Sequence, residues 1–164
     1  MSWQELAYKI DDAETLISFT LLCISFFLYR VTSTNISLAI WVLANFVMER
    51  LAEVMLDVAK TDTELIRQLW YLSFVIIDTI CVWSIYLSHR KLRISFDKFS
   101  VFICFSFTTM AVIQLVRYTD RIIFETEYFA VIYKYGILSL SMAPMVLMAL
   151  MLSFSIINFR HAQE

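Results

Sequence analysis

One glycine and one proline in 164 residues leave this chain no glycine-rich phosphate loop, no low-complexity linker and no GxxxG motif for helix packing. Its two histidines, His89 and His161, have no second His, Cys or Glu at metal-ligand spacing. Neither HExxH nor GxSxG occurs, nor an intramembrane GxGD or a paired-histidine helix suited to haem. No metal and no cofactor is therefore expected, and the chain reads as a non-enzyme. Cys23, Cys81 and Cys104 stand far apart in apolar runs and read as small buried hydrophobes. A net charge of −2 and a pI near 5.7 offer no basic surface to nucleic acid.

What the chain has in excess is apolar surface. Hydrophobic residues make up 60% of it, aromatics 16%, and the mean hydropathy is +0.73. These values lie outside soluble usage and predict an all-α integral membrane protein, with the lipid bilayer as its first partner. The opening MSWQELAYKIDDAE is acidic where a cleavable signal is basic, so the first apolar run is expected to stay. Trp3, Leu6, Ala7 and Ile10 recur at helical spacing and predict a short interfacial helix over residues 1–12.

Five spans follow, over residues 13–31, 36–59, 65–88, 98–123 and 128–158, with 159–164 as a short tail. The polar turn Thr32 to Asn35 and the capping boxes at Asp11 and Thr61 mark helix starts. Trp70 and Tyr71 read as an interfacial anchor, and Pro144 is placed to kink the fifth helix. Arg30, Arg90, Lys91, Arg93, Lys98 and Arg160 fall on one side, while Asp11, Asp12, Glu14, Asp62, Glu64, Glu125 and Glu127 collect on the other. The positive-inside rule then predicts N-terminus out and C-terminus in, with a four-span form if the short first segment lies in the interface. A prokaryotic inner membrane is the expected location.

The second span is the unusual one. Its apolar part, residues 36–48, is too short to cross, since a span needs about 20 residues, so the helix must continue through Glu49, Arg50, Glu53 and Asp57. At ~1.5 Å per residue, Glu49 and Arg50 stand ~20 Å up a core about 30 Å thick, and Glu53 ~26 Å up. The same ruler puts Gln114 at ~22 Å, Arg117 at ~27 Å and Asp78 roughly 15 Å from the cytoplasmic end. Matching heights predict cross-bundle pairs of Glu53 with Arg117, Asp57 with Arg121, and Arg50 with Asp78. That leaves one carboxylate over, and Glu49 is the residue expected to be left.

Such charges are costly in lipid and mark either a register-fixing ion-pair network or a site. Glu49, Arg50, Glu53, Asp78, Gln114, Arg117 and Tyr118 are the candidates for ion or ligand binding. Tyr118, Tyr128, Tyr133 and Tyr135 supply aromatic faces near the outer mouth. Arg90, Lys91, Arg93 and Lys98 are the candidates for contact with anionic headgroups or an acidic partner protein. Two functions fit. One is an ion- or proton-conducting pore or transport subunit, formed by oligomerisation because broken helices are absent. The other is a non-catalytic binding or scaffold subunit, such as a small phage or mobile-element membrane protein, whose charge layers are structural.

Overall fold

The computed structural model of the chain describes residues 16–27, 32–61 and 63–161, with side chains through 154. All its regular elements are helices: α1 (Leu16–Phe27), α2 (Ser33–Val58), α3 (Thr63–Leu92), α4 (Lys98–Tyr118) and α5 (Ala130–His161). A single π-helical turn, Thr119–Ile123, extends α4. The predicted interfacial segment, the Asp11 cap and Arg30 lie outside the described residues, as does Asp62 of the second capping box.

Helix starts follow the polar punctuation. Thr32 caps α2 by accepting from the Asn35 backbone N–H at 3.3 Å, and Asp97 caps α4 by accepting from Ser100 N–H at 2.7 Å. α2 therefore starts three residues before the predicted 36. α3 runs on from the predicted 88 to Leu92 and closes in a Schellman motif, in which Ile94 N–H reaches His89 C=O at 3.1 Å. Arg93 takes the left-handed position of that motif with φ 55°. Because a glycine normally marks this place, the extra turn had no sequence signal. α5 passes without a break through buried Pro144 and continues to His161, so residues 159–161 belong to the helix and not to a tail.

α4 is the central element, packed against α2, α3 and α5. Trp41 and Leu38 of α2, Ile85 of α3, Ile103 and Phe107 of α4 and Met148 of α5 form the fully buried core. Gly136 lets α5 approach α4, since a Cβ there would stand 3.1 Å from Ile113 Cδ1. Large apolar side chains face outward instead of inward along the remaining surfaces: Ile76, Ile80 and Trp83 on α3, Phe105 and Val112 on α4, Val131 and Ile132 on α5. In water such a surface would be an aggregation patch; against lipid it is matched.

Three segments, Thr63–Leu92, Lys98–Ile123 and Ala130–Phe154, are long and apolar enough to cross a membrane, in keeping with an integral membrane protein. α2 has the length, at 26 residues, but its charged half keeps it out of that set. The described part of the first predicted span, Leu16–Phe27, covers only ~18 Å at helical rise. It is tied to α2 by hydrogen bonds between Ser25 and Asn35.

At the end of the bundle holding the α3–α4 turn, polar groups are knitted across three helices. His89 is buried, stacked on Phe96 with ring centroids 4.2 Å apart. Its Nδ1–H points to Ile85 C=O at 2.8 Å, which leaves Nε2 to accept from the Ser33 hydroxyl at 2.7 Å. Ser37 then donates to Ser100 at 2.8 Å, and Ser100 to Ser33 C=O at 3.0 Å. These hydrogen bonds, with a Ser33–Ser100 hydroxyl contact at 2.7 Å, join α2, α3 and α4.

A buried carboxylate site between four helices

α2, α3, α4 and α5 leave between them a partly open cavity of about 210 Å³. Its polar wall is Asn45 and Glu49 from α2, Asp78 from α3, and Gln114 from α4, with Trp70 and Tyr133 beside them. Helical spacing brings this about. Asn45 and Glu49 are four apart and share one face of α2, as Trp70, Phe74 and Asp78 do on α3. Asp78 is 15 residues from one end of α3 and 14 from the other, about 22 Å each way. It stands at the centre of a helix that is long enough to cross a bilayer.

Asp78 is 2% exposed, and its Oδ1 has no hydrogen-bond partner. Gln114 Oε1, opposite, and Asn45 Nδ2 are also buried and unpartnered. The rest of the Gln114 amide is engaged: it hydrogen-bonds the Tyr133 hydroxyl, which also accepts from Trp70 Nε1 at 3.2 Å. Trp70 meets Phe74 edge to face at 5.1 Å, and Tyr71 meets both Tyr133 (5.6 Å) and Tyr118 (6.5 Å) the same way. Trp70, half-buried, lines the cavity, and Tyr71 is buried behind it.

The cross-bundle ion pairs predicted from depth do not form. Arg50 bonds Glu53 on its own helix at 2.8 Å, stands 3.8 Å from Glu49, and lies over the Phe46 ring at 5.5 Å. Asp57 pairs with Lys60 at 2.6 Å. Arg117 pairs with Asp120 at 2.5 Å and with Glu127, and Arg121 reaches Glu127 at 3.5 Å. Glu49 is therefore not the carboxylate left over. Asp78 is: among the described residues it enters no ion pair.

Height along a helix does not say which way a side chain points around it, and local i,i+3 partners are cheaper to hold than distant ones. Of the seven candidates, the structure brings Glu49, Asp78 and Gln114 to one cavity. It places Arg50 and Glu53 on the outer side of α2, Arg117 in the α4–α5 corner, and Tyr118 against Tyr71. Asn45, Trp70 and Tyr133 complete the cavity; the i,i+4 spacing of Asn45 to Glu49 was the available signal for the first of them. Tyr128 and Tyr135 face outward.

The Arg117 corner is closed. Asp120 also accepts from Thr126 Oγ1 at 2.5 Å and from Phe129 N–H at 3.2 Å, so it ties the π turn to the start of α5. Outside the spans, the Arg117 guanidinium holds the Glu127 carboxyl below its ordinary value, with Arg121 assisting. Arg90, Lys91, Arg93 and Lys98 are all exposed around the α3–α4 turn. Among the described residues no group of three or more His, Cys, Asp and Glu is placed to hold a metal ion. No protein-family model, no curated protein and no solved structure matches the chain.

Proposed function

We propose that this protein is a membrane transport subunit that passes a proton or small cation by way of the Glu49, Asp78 and Gln114 cavity. The observation that carries the reading is Asp78, a carboxylate residue at mid-helix that lines the cavity and has one buried, unpartnered oxygen. An uncompensated ionisable group at that depth is costly, and function is the common reason for keeping one. In this reading the exposed basic turn of Arg90, Lys91, Arg93 and Lys98 lies on the cytoplasmic side against anionic headgroups. The N-terminus is outside and the C-terminus inside. The outward apolar faces of α3 to α5 meet lipid or further copies, a homo-oligomer supplying the rest of the path, and no catalysis is assigned.

The test is flux in proteoliposomes holding the purified protein beside Asp78→Asn and Glu49→Gln. Cation or proton flux by the wild type that falls at least tenfold in Asp78→Asn is the expected result. Absence of flux in the wild type, or equal flux in the variant, overturns the reading. A second reading, a binding or scaffold subunit, is favoured by the closed Arg117, Asp120 and Glu127 corner, whose groups are all paired. For that reading the variants change stability or assembly and nothing else.

A further inference from the structure

We infer that the groove between α1 and α2 holds one chain of a phospholipid whose headgroup joins a phosphate to a primary ammonium. The inference is independent of the interior cavity. The groove, of about 580 Å³, is walled by Leu16, Phe19 and Leu22 of α1 and by Val42, Leu43 and Phe46 of α2. Leu16, Phe19, Leu43 and Phe46 are exposed, so the groove opens onto the apolar surface that meets the bilayer. In a bilayer the molecule that fills such an opening is lipid itself, present in excess over any solute. From Ala39 to Arg50 the α2 wall extends about 17 Å, close to half of the roughly 30 Å hydrocarbon core. One acyl chain fits along it with its head at Arg50.

Apolar contact cannot select that lipid, because tails are as apolar as the groove, so the choice falls to the polar end. There Glu49 and Arg50 line the groove, and Glu53 accepts from Arg50 at 2.8 Å. Arg50 lies over the Phe46 ring at 5.5 Å, which holds the guanidinium at the groove mouth. The Arg50 and Glu53 side chains are 55% and 45% exposed, so both are open to a headgroup. A guanidinium bonded to one carboxylate keeps further N–H donors for a phosphate, and the carboxylate keeps lone pairs for an ammonium. Two carboxylates, Glu49 and Glu53, beside one guanidinium leave a negative charge in surplus, which disfavours a headgroup that is anionic overall. A primary ammonium donates N–H bonds to them; a quaternary one has none to give. Ser33, at the start of α2, is bonded to His89 beside the basic turn, and Arg50 stands ~26 Å further along. The lipid thus belongs to the leaflet away from Arg90, Lys91, Arg93 and Lys98.

The full-length protein is incubated with equal amounts of phosphatidylethanolamine, phosphatidylcholine and phosphatidylglycerol of the same acyl chains, and bound lipid is counted by native mass spectrometry. Ala39→Trp fills the groove, so the adducts it removes are those of this site, and any held at the basic turn remain. The expected result is one groove adduct per chain, at least fivefold enriched in phosphatidylethanolamine over either other lipid. Glu53→Gln removes the surplus charge at an exposed position and should cut the enrichment over phosphatidylglycerol to less than twofold. Equal retention of the three lipids, a preference for phosphatidylglycerol, or adducts indifferent to Ala39→Trp would overturn the inference. So would an enrichment unchanged by Glu53→Gln. Thermal unfolding in detergent reports whether both variants are folded; if Ala39→Trp is not, Glu53→Gln alone decides.

Discussion

Two buried charged residues of opposite character illustrate what a single side chain contributes here. Arg117 is enclosed by Asp120 and Glu127, whereas Asp78 faces a cavity with an oxygen unpaired. Removing one member of a buried network strands the others, while removing a group that has no partner strands nothing. Arg117→Ala should therefore lower the unfolding midpoint by on the order of 10 °C, and Asp78→Asn should leave it unchanged or raise it. Thermal unfolding of both variants in one detergent checks the contrast; a larger loss for Asp78→Asn would refute it. The sequence alone supported the presence of a surplus carboxylate but not which one, because heights were readable and azimuths were not. Arg50 finding Glu53 at i,i+3 is the contact that moved the surplus from Glu49 to Asp78. The two left-handed residues, Arg93 (φ 55°) and Glu125 (φ 53°), occupy backbone positions that favour glycine. Arg93→Gly is expected to stabilise by roughly 1 kcal/mol, read as a raised midpoint, because relief of the Cβ contact outweighs the added chain entropy.

Helix ends carry most of the polar ordering, and they respond to acid. Burial disfavours ionisation of Asp97, but hydrogen bonds from Thr34, Ser100 and Ser33 outweigh it and hold the carboxyl below its ordinary value. Glu127 is lowered by its bond to Arg117. A carboxyl with a depressed folded value contributes stability fully above its unfolded value, near pH 4, and loses it as the pH falls through the folded value. Stability should thus hold from pH 7 to about 5 and decline below 4, and Asp97→Asn should lower the midpoint at pH 7 while flattening that decline. A variant with the wild-type acid slope would remove Asp97 from the account. The apolar runs and the caps at Thr32 and Asp97 made α2 to α5 legible as elements. The π turn was not, because a one-residue expansion leaves composition and periodicity almost unchanged; here it turns Asp120 to meet Thr126 and Phe129. Nor was the buried state of His89 legible: read as an interface residue beside arginines, it is held by Ser33 and Ile85 at the centre of a three-helix junction.

At the scale of the whole molecule, the transport reading requires the bundle to cross the bilayer, and α3 decides this. It carries Asp78 at its middle, Lys60 just before its start, and Lys91 near its end. As a helix of 30 residues it is about 45 Å long, more than the roughly 30 Å hydrocarbon core. A helix that crosses must put its two ends in different aqueous phases. Lys60 and Lys91 are both exposed and suit replacement by cysteine, in a background where Cys23, Cys81 and Cys104 are changed to serine. In intact cells a membrane-impermeant maleimide should label Lys60→Cys and spare Lys91→Cys, which becomes reactive only after permeabilisation. The reverse pattern would keep the span and invert the orientation drawn from the basic turn. Labelling of both from outside would mean that α3 does not cross, and Asp78 would then have no bilayer to be buried in.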